Sequence, residues 1–491
     1  MHSTLKVALA VACIGLAFSA PNAPLAYGQQ AKLSPDPASA VELGARGNVS
    51  GAARVSDTIG AYFSDQDGHA ILPYRVWTEA PVAKDGSRAQ VLATDARLEV
   101  HFGYGQSWRT SPMNDAVAPF TTTGEGYAAY TFQDAFGAPL QYIGTSNQVE
   151  IIRGFTGIGP GVGQSIDSVA TESLVRIRRD LRKRSGGVLN WSAAYPGYRW
   201  DQLRPGSEPW AALVGYVAAT KTYSAKYGLT PWFRAVGITQ GAAESTADTV
   251  DAGLELGLML AELDALDVNG GGDLLQFFID VTPAMAGNIT PYPQSWQQIA
   301  FARTNANGRT WLVGPRYQYP YKDDIHHSAD GYARIGEQEA WSKHVVLDRK
   351  LPWEPLWATY TGDDPDVTVS GNTATIQVNS PIGAVGGVVR DTATIGAAAN
   401  DGLVVKMGGV ARAITAVTLN ANSIIITFAG AAVVGGADCE VSYAAYGAGS
   451  VAGQHSGVWG NLKKVGPASR FYPSETVDFW LVPFKVLVVA S

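Results

Sequence analysis

Hydrophobic and polar positions fall into two regimes along the chain. From about residue 96 to 350, apolar runs of strand length alternate with longer stretches of helical period. The first such run places Leu98, Val100 and Phe102 in alternation with Glu99 and His101, and stops abruptly at Gly103-Tyr104-Gly105. Then come a helix over about 168–184, a strand Val188–Ser192, and a helix Trp210–Tyr227 stopped by Gly228. A strand Trp232–Ile238 leads to a helix Thr249–Leu266, whose predicted apolar face is Leu254, Leu258, Ala261 and Ala265. Strands Leu274–Val281 and Thr310–Val313 and a helix Ala329–Val346 complete the series. This alternation predicts an α/β domain over 96–350, with a parallel sheet covered by helices on both faces. Past Pro352 the period changes to two. Residues 367–378 alternate around a Ser370-Gly371-Asn372 turn, and Ile424–Phe428 and Cys439–Tyr443 are further strands. Residues 355–491 are therefore expected to form an antiparallel, β-sandwich-like domain.

The N-terminus has a separate logic. Lys6 precedes an apolar run, Val7 to Phe18, that is too short to span a bilayer, and small residues follow it. Residues 1–28 thus read as a signal peptide and 29–95 as a leader and N-terminal extension, which makes the expected location periplasmic or secreted. Cys13 lies inside the apolar run rather than ending it, so lipoprotein anchoring is the minor alternative. After signal removal one cysteine, Cys439, remains, so no internal disulfide is expected. No later run is long and apolar enough for a membrane helix. Asp65-Gln66-Asp67-Gly68-His69 starts like a calcium loop but lacks the later ligands, so it reads as a turn.

Charge narrows the partners. The formal net charge of −7 argues against nucleic acid, which is bound through clustered Lys and Arg. The basic run Arg176–Arg184 carries Leu174, Ile177 and Leu181 at helical spacing and reads as the wet face of an amphipathic helix.

Ser107 follows a glycine turn off a core strand, the placement a nucleophile needs. Its base should be a histidine oriented by a carboxylate. Among seven histidines, His326 and His327 have acids at a useful spacing: Asp323 with His326, or Asp324 with His327. Loops after the second and third strands offer oxyanion donors, Gly197 through its backbone and Gln240 through its amide. Trp108 and Trp200 adjoin these residues as candidate aromatic stacking surfaces for a substrate. A second Gly163-Gln164-Ser165 follows a glycine-rich loop rather than a strand, and is set aside.

Gly105-Gln106-Ser107, Gly197, Gln240-Gly241 and Asp323-Asp324-Ile325-His326, in that order, resemble the four blocks of the SGNH (GDSL-like) hydrolase superfamily. The Gly-Gln-Ser and Gln-Gly forms are similar to its sialate O-acetylesterase-like carbohydrate esterase branch. The resemblance implies a flavodoxin-like α/β/α sandwich and hydrolysis of an acetylated carbohydrate through an acyl-serine, without metal or cofactor. Carried over, Ser107 is the nucleophile, His326 the base and then acid, and Asp323 its orienting carboxylate. Ser107, Gly197 and Gln240 supply the oxyanion hole. The Asp-x-Ile-His form favours the Asp323/His326 register. Glu244 stands two alanines later than the branch's usual glutamate, and the β-region that follows, including Trp459–Leu462, resembles the C-terminal module of bacterial and phage-associated members.

Overall fold

The computed structural model describes residues 97–110, 129–133, 139–140, 152, 154–157, 165–181, 187–241, 250–281, 293–304, 308–323, 326–391, 398–430, 433–445, 460–472 and 474–490, besides four two-residue strands nearer the N-terminus. The signal segment 1–28, the rest of 29–95 including Asp65–His69, the glycine-rich stretch before Ser165, Glu244, Asp324 and Trp459 lie outside the described residues.

Six parallel strands form the first sheet: β1 (Arg97–Gly105), β2 (Ala129–Gln133), β4 (Val188–Ala194), β5 (Thr230–Thr239), β6 (Gln276–Asp280) and β7 (Thr310–Gly314). Their order is β7-β6-β5-β1-β4-β2, and β3 (Gly154–Gly157) and a two-residue strand pair antiparallel to β2. Without β2, the outermost of the parallel strands, the remaining five run in the order 2-1-3-4-5, so the winding reverses between β1 and β5. In such sheets, ligands bind at the carboxyl ends of the strands flanking that reversal. Gly105 is in register with Thr239 on one side and Ala194 on the other, so all three strands end level.

The two faces of this sheet differ in chemistry. Leu98, Val100, Phe102 and Tyr104 of β1 pack with Trp191, Phe233, Val236 and Phe277 beneath α3 (Glu208–Lys226) and α4 (Ala252–Ala265). Both helices are capped as their sequences require. Ser207 and Asp251 accept backbone N–H bonds at their starts, and Gly228 takes the left-handed φ of +68° just past the end of α3. The predicted face of α4 is corrected: Leu256, Met259, Leu260 and Leu263 are buried, whereas Leu254 is 61% exposed. The helix is apolar nearly all round, so two stripes fit the period equally well. The opposite sheet face lies under α2 (Ile166–Asp180) and α6 (Ala329–Lys343), which extends into a π-helical turn, His344–Asp348. Here the alternate β1 residues Glu99 and His101 are buried with Arg178 and Arg234, beside the half-buried Asp348. Arg178 therefore corrects the reading of a wholly wet basic run; it is 3% exposed, and pairs with Glu99 and Asp348.

After Asp348 the described residues contain no α-helix. Strands β8 (Val367–Ser370), β9 (Thr373–Gln377), β10 (Val385–Arg390), β11 (Leu403–Met407), β12 (Val410–Arg412), β13 (Ile414–Leu419), β14 (Ser423–Phe428), β15 (Asp438–Tyr443), β16 (Leu462–Val465), β17 (Phe479–Trp480) and β18 (Phe484–Val489) form three antiparallel sheets. The predicted hairpin is β8–β9, in register from Val367–Ile376 to Ser370–Thr373. This region shares one hydrophobic core with the parallel sheet, in which Phe278, Val313 and Tyr317 pack with Trp353, Val441 and Phe479. Tyr317 Oη donates to the Leu481 carbonyl at 2.7 Å across that boundary. Cys439 is buried and unbridged.

Candidate active site

Ser107 opens α1 (Ser107–Thr110), directly after β1. The turn between them is possible because Gly105 adopts φ +135°, where a Cβ would also lie 2.1 Å from the Thr239 carbonyl oxygen. Backbone bonds tie the turn to both flanking strands: Gln106 N–H donates to the Thr239 carbonyl at 3.0 Å, and Tyr195 N–H to that of Gly105 at 2.9 Å. The serine is held at the carboxyl edge next to the point where strand order reverses.

His326 arrives from the β7–α6 connection. Lys322 N–H donates to its carbonyl at 2.9 Å, Tyr321 and His327 form an isolated antiparallel bridge, and Ser328 caps α6. The loop is thus pinned on both sides of His326. Its Nε2 lies 3.1 Å from Ser107 Oγ, and its Nδ1 lies 3.1 Å from Asp323 Oδ2. Asp323 Oδ1 also accepts the His326 backbone N–H at 2.6 Å, which fixes carboxylate and ring as one unit. An acceptor facing Nδ1 selects the Nδ1–H tautomer and leaves the Nε2 lone pair toward the serine hydroxyl. Ser107 and His326 are partly exposed and Asp323 is exposed, so the three open to solvent. The chain acid–imidazole–hydroxyl can remove a proton from the serine as it attacks an electrophile.

His327 takes a different role. Its side chain is buried, with the ring of Tyr321 tilted against it at 4.0 Å between centroids and Tyr332 edge-on. Of the two readings of the doubled Asp-His pair, the structure brings the Asp323/His326 pair to the serine.

The other two expected loops lie at the same edge. Gly197, with φ +75°, sits in the exposed turn after β4, and Gln240 follows β5. Gln240 is held at both ends: its Nε2 donates to the Tyr198 carbonyl at 2.8 Å, while Gln298 Nε2 donates to its backbone carbonyl at 2.6 Å. The first of these bonds links the Gln240 loop to the loop bearing Gly197.

The expectation that Trp108 and Trp200 form stacking surfaces is corrected. Trp108 is fully buried against Ile166, Val169 and Tyr332, with the Arg316 guanidinium 3.9 Å from its ring centroid. Trp200 is 1% exposed, and its indole N–H donates to Gln294 at 2.9 Å. An aromatic beside a glycine turn serves the core here. Ser165, set aside from the sequence, is 1% exposed and is the N-cap of α2.

Sequence reasoning missed what lies beneath Ser107. Arg109 is fully buried, with Asp167 at 2.8 Å, Glu339 at 2.7 Å and Asp280 at 3.4 Å. Burial works against its charge, but the three carboxylates outweigh that and hold its pKa up. Burial raises Asp167 and Asp280 despite Arg109, whereas Arg109 and Lys343 overcome burial at Glu339 and hold it down. The available signal was a pair of glycines inside strands, Gly103 and Gly237. Gln298 and its helix α5 (Pro293–Thr304) were also missed. Among the described residues, no group of three or more His, Cys, Asp or Glu is placed to hold a metal ion.

No protein-family model and no curated protein matches the chain. Among solved structures it is similar to a carbohydrate acetylesterase from Xanthomonas citri, at 14% identity over 79% of this chain and 80% of that one, with a TM-score of 0.49. It is also similar to a protein from Arabidopsis thaliana at 13% identity, over 50% of this chain and 96% of that one, with a TM-score of 0.35. A peptidoglycan O-acetylesterase aligns at 18% identity over 34% of this chain and 48% of that one, with a TM-score of 0.23.

Proposed function

We propose that the protein is a serine esterase of the SGNH type, with a flavodoxin-like core, that removes O-acetyl groups from a carbohydrate. The observation that carries this reading is the continuous contact from Asp323 through His326 to Ser107 at the switch-point edge of the sheet. In this reading His326 Nε2 takes the hydroxyl proton as Ser107 Oγ attacks the acetyl carbonyl. Backbone N–H groups of Ser107 and Gly197 and the Gln240 amide receive the developing oxyanion. His326 then protonates the departing sugar oxygen, and water, activated by the same imidazole, releases acetate from the acyl-serine. The carbohydrate assignment rests on the Gly105-Gln106-Ser107 and Gln240-Gly241 blocks, whose forms resemble the carbohydrate esterase branch. The charged N-terminus and the apolar run after it are read as an export signal, so the substrate is a periplasmic or extracellular glycan.

Hydrolysis of an aryl acetate and of an acetylated polysaccharide by the purified protein tests the reading. Ser107→Ala and His326→Ala should each lower kcat by about 10³-fold or more, while His327→Ala should lower stability and spare the chemistry of the folded fraction. Wild-type rates in Ser107→Ala would remove the assignment.

A further inference from the structure

We propose that Arg109 is a positioning residue, which locks the nucleophile turn to the oxyanion loop through a closed ring of contacts around Ser107. The proposal rests on the esterase reading above for its meaning in catalysis, but the ring itself is a matter of geometry. The chain runs from Gln106 through Ser107 and Trp108 to Arg109. Arg109 Nε then donates to Thr239 Oγ1 at 3.0 Å, and the Thr239 carbonyl accepts Gln106 N–H at 3.0 Å, which closes the ring. Gln240, the candidate oxyanion donor, is the next residue after Thr239. One guanidinium thus sets the spacing between the attacking oxygen and the loop that would receive the oxyanion.

The ring is anchored rigidly. Thr239 Oγ1 donates to Asp280 Oδ2 at 2.6 Å, and Arg109 contacts Asp167 of α2, Asp280 of β6 and Glu339 of α6. On the other side, Ser192 Oγ donates to the Arg109 carbonyl at 3.3 Å. The sheet is cut to receive this group. Gly103 and Gly237 are register partners on β1 and β5; a Cβ on Gly237 would lie 2.4 Å from Arg109 Nη2, and one on Gly103 would lie 2.0 Å from Asp167 Oδ2. Two glycines side by side in strand interiors weaken a sheet, so the slot they open needs a compensating use. Arginine suits it because its planar fork reaches several acceptors at fixed angles, whereas a lysine is a point charge.

The test uses the full chain with three variants: Arg109→Lys, which keeps the charge without the fork, Thr239→Val, which keeps the shape without the hydroxyl, and Ser107→Ala as control. Rates are normalised to the folded fraction. Misplacing reacting groups by about an ångström costs on the order of 100-fold, so Arg109→Lys and Thr239→Val should lower kcat by about 10- to 100-fold with KM within about threefold. Amide exchange at 105–108 and at 239–241 should rise together in both. A lowered melting temperature with kcat within about threefold of wild type in both variants would make Arg109 merely structural and overturn the proposal. If the wild type matches Ser107→Ala on every acetyl ester, the esterase reading fails, and amide exchange alone decides the ring. A joint rise in the two segments supports it, and no change in either overturns it.

Discussion

One face of the parallel sheet is built of Val100, Phe102, Tyr104, Trp191 and Phe233, and the other of Glu99, His101, Ser192, Gly103 and Gly237 under a layer of buried ions. Both faces come from the same strands, because successive side chains point to opposite sides. The apolar face holds the fold through surface removed from water, a term that depends on area and tolerates repacking. The ionic face depends on geometry: burying Arg109, Asp167, Asp280 and Glu339 is costly unless each meets its partners. The second arrangement contributes less stability than an apolar core of equal volume would, but it fixes atoms in place. It lies directly under Ser107, where fixed position matters most.

The sharpest way to break this contrast is Gly103→Ala. The added methyl group would lie 2.0 Å from the Asp167 carboxylate and displace it from Arg109, so a loss of about 4 kcal/mol or more is expected in urea unfolding. Unchanged stability would mean that the ionic face is soft.

The next effect is one of pH. Burial pulls His101 from 6.5 down to about 4, against the raising influence of Glu99. The unfolded chain then binds a proton between those values and the folded chain does not, so this histidine's contribution is full above pH 6.5 and falls as pH drops toward 4. Burial raises Asp167 to about 6 and so works in the opposite sense over part of that window. The readout is therefore a variant: His101→Gln, which does not titrate, should remove up to about 3 kcal/mol of acid-induced loss relative to wild type. Parallel pH curves for the two proteins would contradict it. The smallest effect belongs to the apolar face. Leu213→Met, a volume-conserving change on the buried face of α3, should cost less than about 1.5 kcal/mol, independently of pH, with kcat unaltered.

Much of this was legible in the chain because it is written in local patterns. The β1 alternation, the Gly228 stop of α3 and the Ser370-Gly371-Asn372 hairpin follow from period and turn chemistry, and each formed where expected. Ser107, His326, Gly197 and Gln240 could be singled out as candidates because each lies in a short connection after a predicted strand or before a predicted helix. What escaped depends on contacts distant in sequence. Arg109 resembles any surface arginine after a turn until Asp167, Asp280 and Glu339 are brought around it from three other elements. The buried stripe of α4 could not be chosen because Leu254 and Leu256 are equally apolar, and only packing decides between them. Trp108 and Trp200 misled for a related reason, since an aromatic beside a glycine turn can face either way.

The most direct test of the account is to treat the full-length protein with a serine-directed fluorophosphonate and locate the adduct by peptide mass spectrometry. The account predicts one stoichiometric adduct on Ser107, strongly slowed in His326→Ala and retained in His327→Ala. Labelling at Ser165 or another serine, or equal labelling of Ser107 without His326, would contradict it.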